Sequence, residues 1–252
     1  MERNARSRLT ASMEDYIKAI YRLEAAASPV GTNDLAAAMG VAAASATSMV
    51  KALTRLGMAD HTPYHGVRLT PAGERVALEV IRHHRLIERY LQEFLGFGWD
   101  EVHDEADLLE HAISERLEER LAERMGNPLT DPHGDPIPTR DGAIAEQPLV
   151  PIASLPHGTE AVVGRVTTHD PDKLRYLATL GLVPGSAITL LDTAPFGGPV
   201  RLRVAGSERS IGPALAGEVL VRDPRAAPDE TCVAREPAAP AGASRHRTKR
   251  EA

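Results

Sequence analysis

Apolar residues recur at helical spacing from early in the chain. Ile17, Ile20, Tyr21 and Leu23 predict a helix over 13–27, with Ser12 as its N-cap and Glu14 and Asp15 in its first turn. After the Ser28-Pro29 break, Thr32 or Asn33 caps a short predicted helix over 34–39, which Gly40 ends before a second helix over 43–56. Met49, Val50, Leu53 and Leu56 form the inward face of that second helix. Helix, glycine turn and helix is the helix-turn-helix pattern. Two short runs, 58–61 and 67–70, flank the turn Thr62-Pro63-Tyr64-His65-Gly66 and predict a two-stranded wing. Thr70-Pro71 then caps a long helix over 74–95, and after Trp99-Asp100-Glu101-Val102 another helix runs through Arg124. The Pro/Gly-rich stretch 127–151 reads as connection. Beyond it the period changes: runs at 161–168, 187–192, 200–204 and 219–222 alternate with Gly/Pro turns, around one helix over 171–180.

The fold class expected is mainly α with a small β domain. It comprises a winged helix-turn-helix over 1–75, a helical block over 76–145, a linker over 146–155, a small barrel over 156–224, and an Ala/Pro-rich tail over 225–252 that is too poor in apolar residues to pack. At 252 residues and 42% hydrophobic composition the chain can bury such cores. No apolar run is long enough for a bilayer and the N-terminus carries no secretion signal, so no membrane partner and a cytoplasmic location are expected. The single cysteine, Cys232, excludes an internal disulfide framework and any thiolate-rich zinc site.

The net charge of −6 suits a DNA-binding protein only once it is divided along the chain. Residues 1–75 carry 9 Lys/Arg against 7 Asp/Glu and residues 151–252 carry 13 against 11, a net +2 each, whereas residues 76–150 carry 7 against 17, a net −10. On the second helix of the helix-turn-helix, Ala42, Ala44, Ser45, Thr47, Ser48 and Lys51 are the groove-facing candidates. Their short side chains allow a close approach to the major groove, but none offers the bidentate reading of Arg, Asn or Gln, so base discrimination leans on spacing and DNA shape. Lys51, Arg55, His65 and Arg68 supply phosphate contacts.

The acidic middle block also holds histidines at ligand spacing. His84 and Glu88 are four apart on one helix and share a face. His103, Asp107, Glu110 and His111 follow at spacings of four, three and one, but His103 and His111 stand roughly 12 Å apart along a helix axis, too far to share one ion. The economical partition assigns His84, Glu88 and His103 to one ion and Asp107, Glu110 and His111 to another. The alternative for each group is a solvated acidic face paired with Arg85, Arg89 and Arg116. A dinuclear metal-dependent hydrolase or a metal-buffering protein would use similar clusters, but neither explains the winged helix.

SMEDYIKAIYRLE, the winged motif, IRHHRLIERYL and WDEVHDEADLLEHAISERLEERL together resemble the diphtheria toxin repressor family of iron- and manganese-responsive regulators. The resemblance covers about residues 8–140, and THDPDKLRYLATLGLVPGSAITL resembles that family's SH3-like domain, also found in ferrous-transport accessory proteins. It implies a metal-dependent transcriptional regulator, mostly a repressor of metal-uptake genes and not an enzyme, acting as a homodimer on double-stranded palindromic operator DNA through a helical dimerisation domain. It implies two ions per subunit: an ancillary site of His84, Glu88 and His103, and a primary site of Asp107, Glu110 and His111 joined by Asp15. Iron-responsive members typically carry methionine and cysteine at the positions of Asp15 and Asp107, so the carboxylates here point to Mn(II), with Fe(II) second. Members with a compact two-metal manganese site carry an acid where this chain has Lys18. The β domain of such proteins lends ancillary ligands; Asp170 is the one assigned here, with His169 and Asp172 beside it and helix capping as the alternative role for either aspartate.

Overall fold

The computed structural model describes residues 8–145 and 148–222. The predicted tail over 225–252, with Cys232, and residues 146–147 of the predicted linker lie outside these.

Helix α1 (Ala11–Glu24) starts earlier than its periodicity suggests, because Thr10, in extended conformation, accepts a hydrogen bond from the Met13 amide and leaves Ser12 inside the helix. Helices α2 (Thr32–Ala38) and α3 (Ala43–Arg55) follow; Gly31 caps α2 through its backbone alone, in place of Thr32 or Asn33. The two helices are inclined at 106°, within the range of a helix-turn-helix. Their apolar faces meet α1 in one core, where Ile17, Ile20, Leu35, Val50 and Leu53 are fully buried. Strands β1 (Ala59–Thr62) and β2 (Gly66–Leu69) form the wing, each displaced by one residue from its predicted span. The wing is tied to the segment before α2 by paired backbone hydrogen bonds between Val30 and Val67. That approach requires Gly66: its φ is +113°, and a Cβ there would lie 2.5 Å from the Val30 carbonyl oxygen.

Helix α4 (Pro71–Leu95) is the spine. Thr70 accepts from the Gly73 amide, Pro71 sits in the first turn, and Gly96 closes the helix with φ +74°. Its 25 residues span about 37 Å. That length lets Val76, Ala77 and Val80 join the winged-helix core while Ile87 and Leu91 pack against helix α5 (Val102–Leu109). The predicted single helix through Arg124 is two: α5 ends at Leu109, and Ser114 caps a separate α6 (Glu115–Arg124) by accepting from the Leu117 amide. Glu110 and His111 therefore lie in a turn rather than on a helical stripe.

The stretch read as simple connection is partly structural. Asp131 and His133 are buried in it, and Asp131 Oδ1 accepts from the amides of His133 and Asp135, at 2.8 and 2.9 Å. Gly134, at φ +89°, brings this loop so close to the β domain that a Cβ would fall 2.0 Å from the Gly164 carbonyl oxygen.

The β domain is an antiparallel, SH3-like sheet of β3 (Val150–Pro151), β4 (Glu160–Val166), β5 (Ala187–Thr193), β6 (Val200–Val204), β7 (Ser207–Ile211) and β8 (Val219–Arg222), in the order β3-β8-β4-β5-β6-β7. Helices α7 (Pro171–Leu180) and α8 (Pro213–Gly217) complete it. The inward side chains of β6, Val200, Leu202 and Val204, alternate with exposed arginines as a half-buried strand requires. Strand β7 escapes sequence reading because Ser207-Glu208-Arg209-Ser210 is polar and only Ile211 enters the core. Trp99, from the helical domain, packs into this core, and the Val166 amide donates to the His133 carbonyl at 2.8 Å, so the β domain is docked on the helices.

Candidate metal centre

Two clusters of ligating side chains meet at His84, whose Nδ1 faces one and whose Nε2 faces the other; α4 presents it one turn before Glu88. The inner cluster joins three elements. His111, in the turn after α5, has Nδ1 2.6 Å from Glu14 Oε2 and Nε2 3.0 Å from Asp15 Oδ1, both on α1. Its Nε2 is also 3.3 Å from Glu110 Oε1. Ligand atoms of Asp15, Glu110 and His111 thus fall within 4.8 Å of one another, as do those of His84, Asp107 and Glu110. Glu110 belongs to both groups and is fully buried. Asp107, expected beside Asp15, turns instead toward His84, its Oδ1 lying 3.3 Å from His84 Nδ1. Lys18, buried on α1, reaches the same carboxylates: its ammonium donates to Asp107 Oδ1 at 3.0 Å and to Glu110 Oε1 at 2.5 Å.

The outer cluster links the helices to the β domain. His84 Nε2 lies 2.9 Å from Glu88 Oε1 and 3.0 Å from His103 Nδ1, and His103 Nδ1 is 3.1 Å from the same glutamate oxygen. His133 and His169 also converge on Glu88, again with ligand atoms within 4.8 Å of one another. His103 and His169 stack at 4.3 Å between ring centroids. His133 is fully buried and its Nε2 is 2.7 Å from the Trp99 carbonyl oxygen, whereas its Nδ1 and that of His169 have no hydrogen-bond partner. Orphaned imidazole nitrogens beside a buried carboxylate are a costly arrangement in a purely structural role, and they fit a divalent cation, which takes neutral imidazole and carboxylate oxygen together. Asp170 lies outside this cluster: its Oδ1 accepts from the Asp172 and Lys173 amides at 2.9 and 3.3 Å and caps α7, leaving the preceding His169 to face Glu88.

The electrostatics follow from this crowding. Burial pushes the His84 imidazole toward its neutral form, but the hydrogen bonds it donates to the carboxylates of Asp107, Glu110 and Glu88 outweigh that and raise its pKa to about 10. Burial opposes ionisation of Asp107 and Glu110, yet His84 and Lys18 hold both carboxyls below their ordinary range. Glu88 is lowered against its burial by His103 and His84. His169 goes the other way: burial, then the neighbouring His103 and His133, depress it to about 4.

Three of these participants were not assigned from sequence. Glu14 and Lys18 sit in a helix whose charged residues also suit solvent, and His133 sits in a loop read as connection. The available signal was Asp131-Pro-His133-Gly-Asp135, in which a histidine is held between turn-forming aspartates. The residues proposed for DNA are mostly exposed. Ala42, Ala44, Ser45, Ser48, Lys51, Arg55, His65 and Arg68 are exposed; Thr47 is half-buried and donates its hydroxyl to the Ala43 carbonyl. Arg68 also donates to the Ser28 carbonyl at 3.2 Å. Among the described residues no single helix is long and apolar enough to cross a membrane.

Comparison with known proteins agrees with this layout. Residues 8–67 match the iron dependent repressor N-terminal DNA binding domain, residues 70–139 the iron dependent repressor metal binding and dimerisation domain, and residues 150–223 the FeoA domain. The iron-dependent repressor IdeR of Mycobacterium tuberculosis is 32% identical over 212 residues, covering 79% of this chain and 91% of that protein. The regulator MntR of Lysinibacillus sphaericus is 33% identical over 105 residues, 42% of this chain and 75% of that protein. A solved structure of a manganese-dependent transcriptional repressor in complex with manganese superposes with a TM-score of 0.76 at 36% identity, over 84% of this chain and 99% of that one. The three matched domains follow one another along the chain, and the chain belongs to the iron-dependent repressor family of metal-dependent, DNA-binding transcriptional regulators.

Proposed function

We propose that this chain is a homodimeric, manganese-activated repressor that binds palindromic double-stranded operator DNA when two ions per subunit are bound. The observation that carries this reading is the convergence of Asp15, on the first helix of the DNA-binding domain, with Glu110 and His111 of the helical domain. An ion held there ties one domain to the other. It adds positive charge to a site with more carboxylates than Lys18 alone contacts, and it fixes α1, against which α3 is packed. Each α3 of a dimer is then held at the separation that two half-sites demand.

The ligand set supports manganese. Asp15, Glu14, Asp107 and Glu110 offer oxygen and His111 nitrogen, with no sulfur among them, a donor set for hard or borderline ions. The manganese-bound structural relative favours the same ion, and iron(II) is the second choice. The outer ion is taken by Glu88 with His84 and His103, with His133 of the 131–135 loop, and with His169 of the docked β domain. Exposed Phe94 and Leu95 at the end of α4, Leu108 and Leu109 at the end of α5 and Leu117 on α6 supply apolar surface for dimerisation. Ala42, Ala44, Ser45, Thr47, Ser48 and Lys51 face the groove, while Arg55, His65 and Arg68 meet phosphates.

The test is fluorescence anisotropy of a labelled operator titrated with protein in the presence of manganese, iron(II), cobalt or zinc. Manganese is expected to increase affinity the most at physiological concentration. Equal affinity in chelator and in manganese overturns the proposal.

A further inference from the structure

Among the described residues Lys18 is the one lysine or arginine hydrogen-bonded to Asp107 and Glu110, and its placement is specific. Glu110 has two carboxylate oxygens with separate tasks: Oε2 lies 2.6 Å from His84 Nδ1, and Oε1 faces His111 Nε2 at 3.3 Å. Lys18 takes Oε1, the oxygen on the side of His111 and Asp15, and at the same time takes Asp107 Oδ1. The lysine is 7% exposed, so a long, strongly hydrated cation has been drawn out of water to serve these two groups. A divalent ion using Glu110 Oε1 together with Asp15 and His111 would compete for that oxygen with a positive charge already seated on it, and both Glu110 and Lys18 are buried, which weakens solvent screening between them.

We propose that Lys18 is a tethered counter-cation of the inner site: it neutralises Asp107 and Glu110 when no metal is bound, must release Glu110 for the metal to enter, and thereby sets the metal concentration at which the protein responds. The ammonium and the metal ion are alternative occupants of one anionic site. Because Lys18 lies on α1, either occupant joins α1 to the helical domain, but only the ion binds Asp15, Glu110 and His111 at one centre. The lysine weakens metal affinity while stabilising the metal-free chain, so the threshold of response is written into α1 itself. This inference rests on the metal-site reading above.

Two measurements on the full chain test it. The first follows the side-chain ammonium signals of lysine by nuclear magnetic resonance, using zinc as a diamagnetic probe; Lys18 is assigned by the signal missing from Lys18→Arg. In chelator it is expected to give a slowly exchanging signal, which stoichiometric zinc shifts or removes. The second compares manganese binding by electron paramagnetic resonance. Lys18→Met is expected to bind manganese about tenfold more tightly than the natural chain and to show a larger metal-induced rise in Tm, while Lys18→Arg, which keeps the charge, stays near the natural affinity. Unchanged or weaker manganese binding by Lys18→Met overturns the proposal, as does a Lys18 signal indifferent to zinc. If Lys18→Met does not fold, the resonance experiment on the natural chain decides alone. Failure of the natural chain to bind manganese at all is a different result: it removes the metal-site reading and this inference with it.

Discussion

The inner and outer clusters share His84 but solve the problem of buried charge in opposite ways. Around Glu110 the donors are mainly carboxylates, and a lysine ammonium compensates them. Around Glu88 the donors are mainly imidazoles, and two of their nitrogens are left without a partner. The inner cluster is stitched from α1, α4, α5 and the turn after α5, and so joins the DNA-binding domain to the helical one. The outer one is stitched from α4, α5, the 131–135 loop and the entrance to α7, so it reports on docking of the β domain. The contrast teaches that one spine helix can serve two junctions: His84 and Glu88, one turn apart, direct one site toward DNA and the other toward the barrel.

The sharpest way to break this comparison is Asp15→Ala. It removes the inner ligand that belongs to the DNA-binding domain, and metal-dependent operator affinity in anisotropy is expected to fall on the order of 100-fold while the outer cluster still binds an ion. Operator binding that keeps its full metal response in this variant would mean that the inner cluster does not couple the domains. Next in size is His133→Ala, for which isothermal titration should show one of two ions weakened by about 10- to 100-fold and the other unchanged. Equal loss at both ions would show that the clusters are not separate.

Acidification distinguishes the two regions without mutation. In chelator, the contribution of His169, whose pKa is depressed to about 4, is present above the ordinary histidine value of 6.5 and is lost as pH falls toward 4. The contributions of Asp107 and Glu110, whose pKa values are lowered, are present above the usual carboxylate range and are lost only at lower pH. His84, raised to about 10, acts in the other direction: its contribution is complete below 6.5 and disappears as pH rises through about 10. Hydrogen exchange measured against pH should therefore loosen the β-domain junction first on acidification and the inner junction first in alkali. Simultaneous loosening at both pH extremes would refute the assignment of separate electrostatics. The smallest effect is expected from Asp170→Ala, which removes the α7 cap and costs about 1 kcal/mol of stability in thermal melts with no change in metal affinity. A drop in affinity for the outer ion would return Asp170 to the ligand set.

Much of the architecture could be read from the order of residues because the interactions that form it are local. The 3.6-residue period of Ile17, Ile20 and Leu23, the Gly40 turn, and Thr70-Pro71 at the head of α4 each act within a few residues, and each marks an element that is present. The misplacements are local competitions too: Thr10 rather than Ser12 caps α1, and Ser114 interrupts what periodicity joins into one helix. Strand β7 carries too few apolar residues to announce itself.

By itself, then, the chain's sequence determined the winged helix, the long spine, the β domain and the chemical type of the donors, since hydrophobic period, capping and side-chain identity are properties of short segments. Only the tertiary structure decided which donors meet. The spacing of four that joins His84 to Glu88 is helical geometry, but the approach of His133 and His169 to Glu88 depends on how a loop and a separate domain settle against α4. The turn of Asp107 toward His84 and the burial of Lys18 between two carboxylates depend likewise on α1 packing against α4 and reaching across to α5. Such partnerships are set by the balance of desolvation and pairing among groups up to 92 residues apart, and no local period encodes that balance.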